Sequence, residues 1–439
     1  MSGLFKVNDT LTNKISYYHL MLLMASLPFD KFYSHLILIS YGIHTLIHLS
    51  KKNIKPVFNL KMLALQSVFI ITLLAAVYST NMKGALDEIG RRAVILVIPI
   101  LFCLNPFDLK KYRDKLLLFF ALVCTSTLLY LYIDALVTIR HFKLPYSMLF
   151  SGYFANHNFS EPIGMHATFF SMQIGLALVF LLRLLLKEKI FYNRLLYLSC
   201  AIVLTGGMVQ LSSKSVFIAL FLAVNIAVPY FLLHGIKRRR YIIITASISV
   251  LLAAGILSSA AFRARYVTEL ATDLSPAKPG ESLDSRLARW NVIIKLIEKK
   301  PVAGYGTGTE VGLLHDNFFN NRLYNSFLHN LNAHNQYLSF LLKSGVIGLL
   351  VYLGALAFGL NVSFQQKDLL LFVFMLIITC VSFSENLLDV DKGIFYYAFF
   401  YSFFIFSTGN VGMAAKPEKT IQIVNNMGNL TNNYTVIIM

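Results

Sequence analysis

The stretch from Gln336 to Leu360, QYLSFLLKSGVIGLLVYLGALAFGL, decides the fold. It is an apolar run of the length a helix needs to cross the hydrocarbon of a bilayer, roughly 20 residues at ~1.5 Å each. Similar runs lie near residues 15–29, 32–49, 60–79, 92–106, 115–139, 160–183, 194–211, 214–234, 241–261, 368–386 and 392–408. Together they predict an all-α polytopic membrane protein with about 12 transmembrane helices. The runs at 15–29 and 92–106 are short for a crossing. Composition agrees, because 56% of the 439 residues are hydrophobic and only 14% are charged. A soluble domain carries about a quarter charged residues.

The net charge of +18 would suit a nucleic-acid binder, but its distribution excludes one. The basic residues fall in short clusters between apolar runs, so membrane lipids with anionic headgroups are their expected partners. Alternate loops are unequal. One set holds Lys51, Lys52, Lys55 and Lys61, then Lys110, Lys111, Arg113 and Lys115, then Lys187, Lys189 and Arg194, then Lys237, Arg238, Arg239 and Arg240. The opposite short loops hold far fewer, which puts the first set and both termini in the cytoplasm.

This parity divides the chain into transmembrane helices over 1–261, one large periplasmic loop over 262–335, further transmembrane helices over 336–408, and a cytoplasmic tail over 409–439. The tail is rich in Asn and Thr and is expected to be disordered. Within the loop, Leu283, Leu287, Trp290, Ile294 and Ile297 recur at helical spacing until Pro301. They predict an amphipathic helix lying over the bundle or at headgroup level. The first apolar run reads as a retained span rather than a cleavable signal. Cys103, Cys124, Cys200 and Cys380 lie in apolar runs without metal-ligand spacing and read as small core residues.

The segment ahead of Gln336 carries the chemistry. His334-Asn335 is followed after nine residues by Gly345-Val-Ile-Gly348. On a continuous helix those glycines lie roughly 16 Å deeper than the histidine, where they suit close helix packing. The histidine stays at the membrane edge, where an imidazole can serve as general base toward a sugar hydroxyl. A helix-capping or headgroup-contacting His-Asn pair accounts for the same residues.

This pattern resembles the signature of the O-antigen ligase and polymerase superfamily, and is closest to the ligase type. Other segments agree in order. Ser285-Arg286-Leu-Ala-Arg289-Trp290, with Lys300-Pro301-Val-Ala-Gly304-Tyr-Gly306, resembles the family's Arg-x-x-x-Trp helix and proline-glycine loop. Gln210-Leu-Ser212-Ser213-Lys214-Ser215 resembles its Ser-rich turn, and His166-Ala-Thr168 an earlier His-x-Thr motif. Glu385-Asn386, with Gly393 and its aromatic run, is similar to the last helix pair, so the resemblance extends from about residue 87 to 408.

The resemblance implies an inverting sugar transfer at the periplasmic face of the bacterial inner membrane. A glycan would leave undecaprenyl diphosphate for a hydroxyl of lipopolysaccharide lipid A-core. His334 would be the base, with Asn335, His166 and Glu385 as supporting polar groups. A diphosphate leaving group gains charge as its bond breaks and needs fixed cations. Arg286, Arg289, Lys214, Arg91 and Arg92 are the outward candidates. Arg286 and Arg289 share a helix face, although that face is equally the wet side of an amphipathic helix. Lys214 stands where many relatives carry arginine, which removes the bidentate fork. Arg91 and Arg92 also suit interfacial anchoring.

Two further signals weigh less. Gly304-Tyr-Gly306-Thr-Gly308 lacks the Lys and the strand of a phosphate loop and reads as a turn. Asp389-Val-Asp391 resembles paired acids that hold a metal–diphosphate, but ion pairing to a loop arginine is the plainer reading. No metal and no other cofactor is expected. A polymerase or a protein glycosyltransferase would share the same motifs and differ in acceptor. A lipid-linked glycan transporter is the rival of a different class, and internal repeats with midplane polar breaks would point to it.

Overall fold

Asn, Asp and Thr residues at loop ends set where the helices begin. In the computed structural model, residues 6–49, 59–275 and 284–408 are described. Lys51, Lys52, Lys55, Leu283 and the 409–439 tail lie outside them. Helices α1 (Leu11–Ser26), α2 (Lys31–Ile47), α3 (Leu60–Ala76), α4 (Met82–Leu104) and α5 (Leu109–His141) start at Thr10, Asp30, Asn59, Asn81 and Asp108. Each of those side chains accepts a bond from a first-turn backbone N–H that would otherwise have no partner. There follow α6 (Ala167–Leu185), α7 (Phe191–Leu211), α8 (Lys214–Leu232) and α9 (Gly235–Ser258). After short helical turns over 260–273, the longer loop helices are α10 (Arg286–Lys299) and α11 (Glu310–Asn320). The chain closes with α12 (Gln336–Gln365), α13 (Leu369–Val381) and α14 (Asp391–Ser407).

Every expected span meets a helix, and no strand occurs among the described residues. Six helices (α5 to α9 and α12) are long and apolar enough to cross a membrane. The others are shorter or more polar. α4 begins ten residues ahead of the expected 92–106 span because Asn81 caps it. α13 stops at Val381 rather than near 386, which frees 382–390 to form a loop. Residues 160–166 form short turns, so α6 starts only after His166.

α6 is apolar on all sides and buried along nearly its whole length, as a helix at the centre of a bundle must be. α14 is buried almost as completely. α9 is equally apolar yet buries none of its residues, which fits a peripheral helix facing lipid. The segments assigned to opposite sides gather at opposite ends of the bundle. At one end Asn156 N donates to Gln210 O, Gln336 N to Ser382 O, and Ser384 to Ser215. At the other, Arg113 pairs with Asp368 and Arg183 with Asp114.

The reading of Gly345 as a packing glycine in a continuous helix is corrected. Gly345 has φ 64° and ψ −163°, so α12 is two helices joined at a break. The proline-glycine loop enters that break. Tyr305 N and Gly306 N donate to Leu342 O and Lys343 O, and Val346 N donates to Pro301 O. These bonds satisfy backbone groups that a break within the bundle would otherwise leave unpaired. A Cβ on Gly345 would collide with the Val302 carbonyl, and one on Gly308 with the backbone of Gly84. The Gly304–Gly308 segment is therefore a turn, as expected, but one wedged between α3, α4 and α12.

The stripe proposed for the amphipathic helix also shifts. α10 buries Ala288, Arg289, Val292, Ile293 and Leu296, while Ile294 is exposed. Leu314, Phe318, Ala333 and Leu342 complete this core, and Trp290 and Ile297 pack at its edge. The loop helices make a small core of their own, so the apolar face turns toward protein.

Candidate functional site

His334 takes a left-handed φ of 45°, an uncommon conformation for a residue with a Cβ. Asn332 holds it there by accepting the His334 N–H at 2.9 Å. Its Nδ1 lies 3.2 Å from Glu385 Oε2. A carboxylate there accepts Nδ1–H, which leaves the lone pair on Nε2. No hydrogen bond engages Nε2 among the described residues. Burial opposes ionisation of Glu385, but the bond from His334, with His166 and Arg286 nearby, holds its pKa below the usual value.

Asn335 takes the capping role. Its carboxamide oxygen accepts from Tyr337 N and Leu338 N, opening α12. The helix-cap reading therefore describes Asn335, while His334 turns toward Glu385.

His166 caps α6 by accepting from Thr168 N at 3.3 Å, and its ring centre lies 4.0 Å from that of His157. Burial, with the nearby histidines, lowers its pKa to about 4, so it stays neutral.

α10 reaches the same place. Arg286 Nη1 donates to Ser384 O at 3.0 Å, beside Glu385, and Trp290 Nε1 donates to Ala333 O at 3.0 Å, beside His334. The Arg-x-x-x-Trp spacing puts both side chains on one face, and that face clamps the two segments carrying the histidine and its carboxylate. Arg286 Nε also lies 3.4 Å from Asp273. Lys214 lies 3.9 Å from the same carboxylate and 3.7 Å from Glu269.

Arg289 differs from these. It is 6% exposed, and its Nε and Nη1 have no hydrogen-bond partner among the described residues. Burial and then the adjacent Arg286 lower its pKa to about 10, still charged at neutral pH. A buried, unpaired guanidinium is costly, and an oxyanion would relieve that cost.

Arg91 and Arg92 do not join this cluster. Arg91 is exposed. Arg92 was expected to face outward, but its guanidinium is buried and engaged on every side. It donates to Leu388 O and Thr72, and pairs with Glu88 at 2.8 Å and Asp389 at 2.5 Å. The early start of α4 places Arg92 well inside that helix. Lys343 completes this second network, 2.9 Å from Glu88, 2.8 Å from Asp389 and 3.6 Å from Glu310.

The paired acids are thus split. Asp389 belongs to the buried network, whereas Asp391 pairs with Lys31 at 2.7 Å. Among the described residues no three His, Cys, Asp or Glu side chains gather as metal ligands.

The two clusters share one loop. Asn386, next to Glu385, donates to Glu310 and Asp389 and accepts from Asn335 N. Glu310 also accepts from Ala333 N. The buried ions therefore hold both segments that carry the His334–Glu385 pair. The motifs did not reveal this scaffold. Lys343 inside an apolar run was its one visible signal, because an ionisable group at that depth is expensive without a partner.

The geometry defines a polytopic helical membrane protein with a carboxylate-oriented histidine and clustered guanidiniums at one end of its bundle. The sequence model of the family described as O-Antigen ligase matches residues 195–353, from α7 into α12. That match makes this segment, a little over a third of the chain, similar to the O-antigen ligase family. Lys214, Arg286, Arg289 and His334 all lie within it. No curated protein matches the chain.

Proposed function

We propose that this chain transfers a glycan from undecaprenyl diphosphate to a hydroxyl of lipid A-core, with inversion, at the periplasmic face of the bacterial inner membrane. Both termini would lie in the cytoplasm, and about 12 helices would cross the bilayer. His334 Nε2 takes the proton of the acceptor hydroxyl. The acceptor oxygen bonds to the sugar's anomeric carbon as the bond from that carbon to the diphosphate oxygen breaks. The electron pair leaves on the diphosphate. Glu385 fixes the imidazole tautomer and stabilises the imidazolium, the part a carboxylate plays beside any histidine base. Arg289 and Arg286 hold the diphosphate, with Lys214 at its rim, while Arg91 stays outside that cluster. Arg92 holds the 382–390 loop instead.

These cations neutralise the leaving group, so the reaction is metal-independent in this reading. The observation that carries it is that, among the described residues, His334 Nε2 has no hydrogen bond while Glu385 engages Nδ1, and that the helix bringing Arg286 to the neighbouring Ser384 also buries Arg289 with two of its guanidinium nitrogens unpartnered. A polymerase acting on a second glycan would use the same residues. The lipopolysaccharide of a deletion strain separates the two. Core without any polymer supports the ligase, whereas core bearing a single repeat supports the polymerase.

A further inference from the structure

The far end of α12, opposite the His334 site, opens a cavity of about 510 Å³. It forms where the start of α5, the ends of α6 and α8, and the turn from α12 to α13 meet. Six cationic side chains line it against two carboxylates, Asp114 and Asp368. Those carboxylates are already engaged. Arg113 grips Asp368 with both guanidinium arms at 2.6 and 2.7 Å and lies 5.1 Å over Phe404, while Arg183 grips Asp114 at 2.9 and 3.1 Å. These two pairs form rigid walls. Lys110, Lys187 and Lys367 line the same space, and none makes an ion pair among the described residues.

Two further features bear on the ligand. Lys110, Lys111 and Arg113 occupy the start of α5, where Asp108 caps the helix, Asp9 pairs with Lys111 and Asp368 with Arg113, which leaves Lys110 without an ion pair among the described residues. A helix N-terminus carries partial positive charge, so a cation there without its own carboxylate, such as Lys110, favours a bound anion. The lining also includes Leu232, Leu369 and Leu370. A charged mouth over an apolar wall, in a bundle whose outer helices face lipid, fits an amphipathic anion better than a soluble one.

We propose that this cavity binds the phosphate of an anionic phospholipid, with Lys110, Lys187 and Lys367 as its charge contacts. The site is independent of the transfer chemistry at the other end of the bundle. Its occupancy braces α5, α6, α8 and the α12–α13 turn against one another. Phosphate is the recognised chemistry, and the leucines select the lipid over free phosphate.

The test uses full-length protein in phosphatidylcholine nanodiscs, titrated with phosphatidylglycerol and followed by native mass spectrometry. Wild type should retain one tightly bound phosphatidylglycerol. The triple variant Lys110→Gln, Lys187→Gln, Lys367→Gln should weaken that binding roughly a hundred-fold, from three lysines near the surface. These lysines are exposed, so the variant should elute as wild type does, and Lys→Arg at all three should retain the lipid. A control triple, Lys237→Gln, Arg239→Gln and Arg240→Gln, changes charge on the same side outside the cavity and should leave binding within about two-fold. Equal loss in both triples would overturn the proposal in favour of diffuse attraction. Displacement of the lipid by millimolar inorganic phosphate would overturn the lipid assignment.

Discussion

Replacing Lys343 by Met tests whether the buried ion network holds the His334 site. The ammonium is buried and lies within 4 Å of carboxylates on three separate elements, α4, α11 and the 382–390 loop. Methionine keeps much of the volume but leaves Glu88, Glu310 and Asp389 with Arg92 alone. Removing one partner from a buried ion cluster typically costs about 3–5 kcal/mol, because the remaining charges stay desolvated. For a chain of this length, melting shifts by roughly 1–2 °C per kcal/mol when extrapolated from smaller domains, so Tm should fall by about 3–10 °C.

Trp290 is the single tryptophan, and its indole N–H binds the carbonyl beside His334. Its emission in a thermal ramp therefore reports the site directly. Adding Glu310→Gln should recover part of the loss, since the carboxamide oxygen still accepts from Ala333 N and Asn386 while one unpaired charge disappears. A Lys343→Met protein that melts within 1 °C of wild type, by the precision such ramps reach, would refute the scaffold role.

Other perturbations give equally definite outcomes. Gly345→Ala puts a Cβ into the Val302 carbonyl at a positive φ and should prevent assembly of the folded protein, read as loss of the monodisperse peak in gel filtration. Stability should fall as pH drops from about 6.5 to 4, because the unfolded chain takes up a proton that buried His166 refuses. The slope should reach about 1.4 kcal/mol per pH unit, and His166→Gln should flatten it in chemical unfolding measured across that window. Transfer by purified protein should continue in excess chelator. Inhibition reversed by magnesium or manganese would instead give the carboxylates a metal-binding role.

The apolar runs made the helices legible, and Asn81, Asn335 and Asp368 mark helix starts that their capping chemistry explains. The motif residues His334, Glu385, Arg286, Arg289, Lys214 and His166 were named from scattered segments, and the fold gathers them. What stayed hidden depends on long-range partners. Arg92 and Arg91 are adjacent in sequence and equal in type, yet their fates differ because Glu88, Asp389 and Leu388 close around only one. No periodicity reports a partner nearly three hundred residues away. Likewise, Gly345 and Gly348 read alike as packing glycines, and only the insertion of Pro301 to Gly308 distinguishes the break.

The central claim is that His334 is the base. His329 is its natural control, a second histidine in the same loop, exposed and outside the glycine-spaced signature. The decisive measurement is turnover of purified His334→Ala and His329→Ala, at matched abundance, with lipid-linked donor and lipid A-core acceptor. The account predicts a loss of about 10²–10⁴-fold for His334→Ala, the usual worth of a general base, and near-normal turnover for His329→Ala. Near-normal turnover of His334→Ala, or equal losses in both variants, would contradict it.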